Sequence, residues 1–194
     1  MHKPDEHFSM DGQPLSLTMT DFWAWAYSDL SYNINRSALS EYIVASALSI
    51  IPYVPYAIRK CHWPCELVTK DGYIINVKTA AYVQSCDPEH PDFINFFIRP
   101  RRVPDGSTHV LDTPFKRHCD FYVFSVYKGM STFDSPLNLD LWDFYIMSTK
   151  ILDESRPTQK TISLRSLLNF NPVKCNFNNI SERLDEVIAK TKNA

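Results

Sequence analysis

The run Glu66-Leu67-Val68-Thr69-Lys70-Asp71-Gly72-Tyr73-Ile74-Ile75-Asn76-Val77-Lys78 decides how this chain is read. A short apolar segment, an Asp-Gly pair and a longer β-branched segment predict a hairpin, because glycine supplies the positive φ of a tight turn. Strand side chains alternate, so Asn76 and Lys78 share one face while Ile75 and Val77 share the other. Glu66 stands on the neighbouring strand, within reach of the polar pair. An acidic group, a second oxygen donor and an ammonium at a sheet edge suit a hard-cation phosphodiesterase site. Mg²⁺ takes oxygen ligands, and the lysine positions water and offsets phosphate charge. The same pattern also fits a plain cross-strand ion pair between Glu66 and Lys78, worth under about 1 kcal/mol.

Upstream, Thr20 or Asp21 is expected to cap a first helix running to Leu30, with Phe22, Trp23, Trp25 and Tyr27 as core residues. A second helix is expected over 37–50, where Leu39, Tyr42, Ile43, Ala47 and Ile50 follow the 3.6-residue period and Pro52 ends it. Glu41 falls near its start, off the main apolar line. Downstream, 93–99, 121–127 and 141–147 read as strands, rich in aromatic and β-branched residues. Residues 101–116 read as a polar loop. Helices are expected over 163–169 and 180–192, the latter opened by an Asn179/Glu182 capping box. Residues 1–15 read as a flexible arm and 16–194 as one domain, in keeping with about 150 residues per domain. The order α-α-β-β-β-β-β-α predicts an α/β fold, a central mixed sheet flanked by helices.

These residues resemble the restriction-endonuclease-like PD-(D/E)xK nucleases, whose pattern is an acidic residue on one strand and acidic-x-Lys on the next, often with a helical glutamate. Pro64-Cys65-Glu66 is similar to the first half, Asn76-Val77-Lys78 to the second, and Glu41 to the helical glutamate. The continuation Thr79-Ala80-Ala81-Tyr82-Val83-Gln84-Ser85 is similar to the Lys-Ser-x-x-Tyr-x-Gln-Ser run of some bacterial members. The resemblance implies a restriction-endonuclease-like fold and a Mg²⁺- or Mn²⁺-dependent endonuclease acting on DNA. Glu66, Asn76, the Val77 carbonyl and Glu41 would hold the metal, Lys78 would activate or position water, and Gln84 would sit near the scissile phosphate. Cutting both strands takes two such sites, hence a homodimer. The chain departs from the pattern at Asn76, where an amide replaces a carboxylate and removes one formal charge from the metal site. In a partly dehydrated site that costs roughly a few kcal/mol of metal affinity. A catalytically impaired relative that binds DNA or protein without cutting is therefore the alternative.

Composition bounds the rest. The chain has 194 residues, 44% of them hydrophobic and 22% charged, which excludes wholesale disorder. A net charge of −2 argues against nonspecific polyanion binding by the whole surface, so a nucleic-acid site must be a local patch. Arg99, Arg101 and Arg102, with Lys116 and Arg117, supply that patch around one loop, and Lys160 and Arg165 are lesser phosphate-contact candidates. A solvated loop edge would carry the same charges. Five unevenly spaced cysteines read as reduced thiols in a cytoplasmic protein. Cys61-His62-x-x-Cys65 with His118-Cys119 is too irregular for a zinc site, and buried inert thiols are the simpler reading. Asp120 reads as a polar group at the sheet edge or a strand-start cap. The N-terminus lacks the apolar core of a secretory signal. The uncharged run 42–58 contains Pro52 and Pro55 and is too short and broken for a span. With four glycines, neither GxGxxG nor a Walker A loop can be written.

Overall fold

The computed structural model describes residues 2–50, 67–83, 94–102, 114–131 and 133–193. The hairpin anticipated around Asp71-Gly72 forms: β3 (Leu67–Val68) pairs antiparallel with β4 (Ile74–Ala81), Leu67 opposite Ile75. Gly72 takes φ +84 in the turn and donates to the Thr69 carbonyl at 3.0 Å. β6 (Phe121–Tyr127) runs parallel to β4 with Asn76 beside Tyr122 and Lys78 beside Phe124. β7 (Trp142–Ser148) and β9 (Val173–Cys175) complete a five-stranded sheet in the order β3-β4-β6-β7-β9, antiparallel apart from the β4–β6 pair. Every residue of β6 is buried, as expected for a central strand covered on both faces.

Pleating sorts the sheet's side chains into two cores. Ile75, Val77, Phe121, Val123, Phe144 and Ile146 face α2 (Asn33–Ala47) and α5 (Ile180–Lys192), which contribute Ile43, Val44, Leu184 and Val187. Tyr122, Phe124, Val126, Tyr145 and Met147 face the other way. There they meet a small ribbon of β5 (Asn95–Phe97) paired with β8 (Thr161–Ser163), and Leu152 and Leu167 from α3 (Thr149–Ser155) and α4 (Leu164–Leu168). At about 1.5–3 kcal/mol per fully buried large side chain, these two layers dominate the stability of the sheet. The fold is thus mixed α/β with a central mixed sheet flanked by helices.

Several expectations are corrected. The stretch read as a flexible arm over 1–15 holds a hairpin, β1 (His7–Met10) with β2 (Gln13–Thr18). Asp11 and Gly12 both have positive φ, at 51° and 74°, as a tight hairpin turn requires. α1 (Met19–Tyr27) is capped by Thr18, not Thr20 or Asp21. The Asp21 carboxylate reaches back to the Thr18 amide and is held below its usual range by bonds from the Thr18 hydroxyl and amide. Its aromatic residues are not core: no residue of α1 is buried, and Trp25 is 85% exposed. α2 starts at Asn33 rather than at 37 and ends at Ala47, because Ser49 adopts φ 50 and turns the chain before Pro52 is reached. The Asn179 side chain does not cap α5; its Oδ1 accepts from the Asn176 amide at 2.9 Å instead. α3, β8 and β9 were not anticipated. No helix among the described residues is long and apolar enough to cross a membrane.

Candidate functional site

Asn76 and Lys78 emerge from the face of β4 opposite Ile75 and Val77, as alternation requires, and both line a cavity of about 510 Å³. Its walls also carry Arg99, Arg101, Arg102, Arg117 and His118, with Tyr122 beside Asn76 on the parallel strand. β5 delivers the arginines. Phe96 and Ile98 point into the core, so Phe97 and Arg99 are turned outward, and the chain then leaves the ribbon through Pro100 to Arg101. Arg101 is held by an antiparallel bridge to Lys116: its amide donates to the Lys116 carbonyl at 3.0 Å and the reverse bond is 3.3 Å. The His118 ring nitrogen Nε2 lies 2.8 Å from the Arg101 carbonyl oxygen. The ends of the region expected to be a polar loop are therefore clamped together beside Lys78.

The cations differ in employment. Arg117 is fully buried at its side chain and structural: Nε donates to the Ile98 carbonyl at 2.7 Å, one terminal nitrogen to the Asp153 carboxylate at 2.6 Å, and the other to the Arg156 carbonyl at 2.7 Å. It contributes charge to the cavity wall while its donors are engaged by these partners. Arg99, Arg101, Arg102 and Lys116 are exposed. Tyr122 is 3% exposed, and burial raises its phenol far above the ordinary value, with Cys119 adding to the shift. It stays neutral, with its hydroxyl bonded to Cys119.

The other expected site residues are placed less centrally. The Val77 side chain points into the α2-side core, which does not bear on the role expected of its carbonyl. Glu41 is 5% exposed on α2, the helix that covers the Ile75 and Val77 face, and it is absent from the walls of this cavity. α2 covers the face of the sheet opposite the one on which Asn76 and Lys78 line the cavity. Glu66, Gln84, Cys61, His62, Cys65 and Cys86 lie outside the described residues. Lys160 is exposed on the β5–β8 ribbon, where its carbonyl accepts from Ile98. Arg165 is exposed on α4, apart from the lining. Asp120 proves to be a cap: its carboxylate accepts from the Ile74 amide at 2.8 Å. Cys119 and Cys175 are buried thiols outside any disulfide, and burial pushes Cys175 up to about 12, which keeps it inert.

Residues that sequence reasoning passed over are Phe97, Phe115 and Tyr122. In Asn95-Phe96-Phe97-Ile98-Arg99 the two phenylalanines are indistinguishable until one knows which face of the strand the core takes.

Among the described residues Asn76 supplies one neutral amide, the other polar groups lining the cavity are predominantly cationic, and no group of three His, Cys, Asp or Glu converges; Glu66, the carboxylate expected beside them, lies outside those residues. The same walls suit an anion. No protein-family model matches the chain, and no curated protein matches it.

Proposed function

We propose that this chain binds DNA through the cation-lined cavity, as a catalytically impaired relative of the restriction-endonuclease-like nucleases. The observation that carries the reading is the convergence of Lys78 with Arg99, Arg101 and Arg102, separated by more than twenty residues in sequence, on one cavity beside Asn76. Each phosphate neutralised there releases condensed counterions, so binding comes from a local patch even though the chain as a whole is slightly acidic. Asn76 fits binding better than cutting, because an amide keeps the polar contact of a carboxylate without its charge. The restriction-endonuclease-like fold itself belongs to this proposal; its support is the hairpin followed by a parallel neighbour and the placement of Asn76 and Lys78 on one face.

A second reading, the Mg²⁺- or Mn²⁺-dependent endodeoxyribonuclease, is favoured by that shared placement of Asn76 and Lys78. The experiment that separates the two combines anisotropy titration of a labelled oligonucleotide with nicking of supercoiled plasmid in Mg²⁺ or Mn²⁺. The binding reading expects affinity that falls steeply between 50 and 200 mM salt, roughly as the number of phosphates contacted, with plasmid left intact. Nicking by the parent chain, lost in Lys78→Ala, would establish the enzyme instead. Nicking gained only in Asn76→Glu would identify the amide as the impairment. Absence of binding at 50 mM salt would overturn the DNA reading altogether.

A further inference from the structure

Two large aromatic side chains stand in the wall of the cationic cavity with most of their surface in water: Phe97 is 75% exposed and Phe115 is 53% exposed. The core does not explain them. The β5 pleat sends Phe96 inward, where its ring meets Phe124 at 5.0 Å between centroids, and leaves Phe97 on the outer side with Arg99. Phe115 directly precedes Lys116, whose bridge to Arg101 fixes that part of the chain beside the arginines. An isolated exposed phenylalanine needs no account, but two on the lining of one cation-rich cavity make a combined apolar and positive surface.

That combination matches one nucleic-acid form better than another. In a duplex the base faces are hidden in the stack and only their edges are offered, so an exposed aromatic ring set among arginines meets phosphate and sugar. In a single strand the base faces are available, and a ring can stack on one while neighbouring cations hold the backbone. A cavity of about 510 Å³ lies in the range that admits a small organic ligand, the scale of a single nucleotide. Resting on the DNA-binding reading above, we infer that the cavity takes single-stranded DNA: a base seats against Phe97 or Phe115 while Arg99, Arg101 and Arg102 hold the adjoining phosphates.

The test compares a labelled single strand with the duplex of the same sequence on the intact chain, then on Phe97→Ala, Phe115→Ala and Phe97→Trp. The intact chain is expected to prefer the single strand. Each alanine variant is expected to reduce that preference about tenfold while the salt slope holds, because a stacking contact and not a phosphate contact has been removed. Phe97→Trp is expected to restore the preference. A 2-aminopurine placed in the strand is expected to lose fluorescence on binding the parent and to regain it with the alanine variants. Equal or tighter duplex binding, with no change in 2-aminopurine, would overturn the single-strand inference and leave DNA binding standing. Failure to bind either form at 50 mM salt would overturn both. Circular dichroism of each variant checks that the exposed substitutions leave the fold intact.

Discussion

Two cavities border the central sheet and handle charge in opposite ways. The one beside Lys78 gathers cations: Arg99, Arg101, Arg102 and Arg117 share its walls, and no Asp or Glu is among its described lining residues. The second, of about 410 Å³, is bordered by Asp120, Asp153 and Glu154 together with Lys150 and Lys192, so both signs are interspersed. Two of its acids have structural work, Asp120 bonding the Ile74 amide and Asp153 pairing with Arg117. Like charges brought together raise the energy of the folded chain, whereas mixed charges compensate locally. The first cavity is thus the one whose described lining carries a single sign of charge. The second is the ordinary balance of a folded surface. Arg117 joins the two, lining the first cavity while its partner Asp153 lines the second.

That link is where the comparison breaks hardest. Arg117→Met keeps the apolar stem but strips the donors from the Ile98 and Arg156 carbonyls. Leaving buried acceptors unmet costs about 1–3 kcal/mol each, so a loss of about 3 kcal/mol is expected, or roughly 6–12 °C in Tm for a chain of this size. Thermal unfolding followed by circular dichroism measures it. A Tm within about 2 °C of the parent would mean that the guanidinium is dispensable to the fold, and would return Arg117 to the list of ligand contacts.

The exposed arginines should behave the other way round. Replacing Arg101 and Arg102 together by glutamate is expected to weaken oligonucleotide binding about 100-fold near 100 mM salt. The slope of log affinity on log salt should fall by about 2. Because both side chains are exposed, Tm should hold within about 2 °C. Anisotropy titrations at several salt concentrations read the slope directly. A large affinity loss with an unchanged slope would show that these residues do not meet phosphates.

How far such a site could be read from sequence depends on the range of the signal. The Asp71-Gly72 hairpin, β6 over 121–127 and α5 over 180–192 were legible because turn chemistry and apolar period act within a dozen residues. The same Asp-Gly signal at Asp11-Gly12 was missed because the hairpin around it buries almost nothing, leaving no inside-outside alternation to notice. β8 and β9 are three residues long, too short to show any period. Lys78 and the arginine cluster were each visible as local features. Their meeting was not, because it depends on how the β5–β8 ribbon lies over the sheet. Glu41 shows the converse: helical spacing puts it off the main apolar line, yet it is 5% exposed, because what α2 buries depends on the sheet face it covers, a tertiary choice.

The smallest effect tests whether the cavities are independent. Asp120 holds the start of the sheet from three directions. Its carboxylate accepts from Ile74, its amide donates to the Ile74 carbonyl at 2.8 Å, and its own carbonyl accepts from Thr149 at 2.9 Å. Asp120→Ala removes only the first of these, and the position is exposed enough for water to replace the lost acceptor. A loss of about 1 kcal/mol is expected, or 2–4 °C in Tm, and Asp120→Asn should recover most of it because an amide oxygen still accepts. Oligonucleotide affinity should move by less than about twofold at 150 mM salt, where the screening length is about 8 Å. If Asp120→Ala instead tightened binding several-fold, the two cavities would belong to one electrostatic unit. The acids of the second would then be restraining the cations of the first.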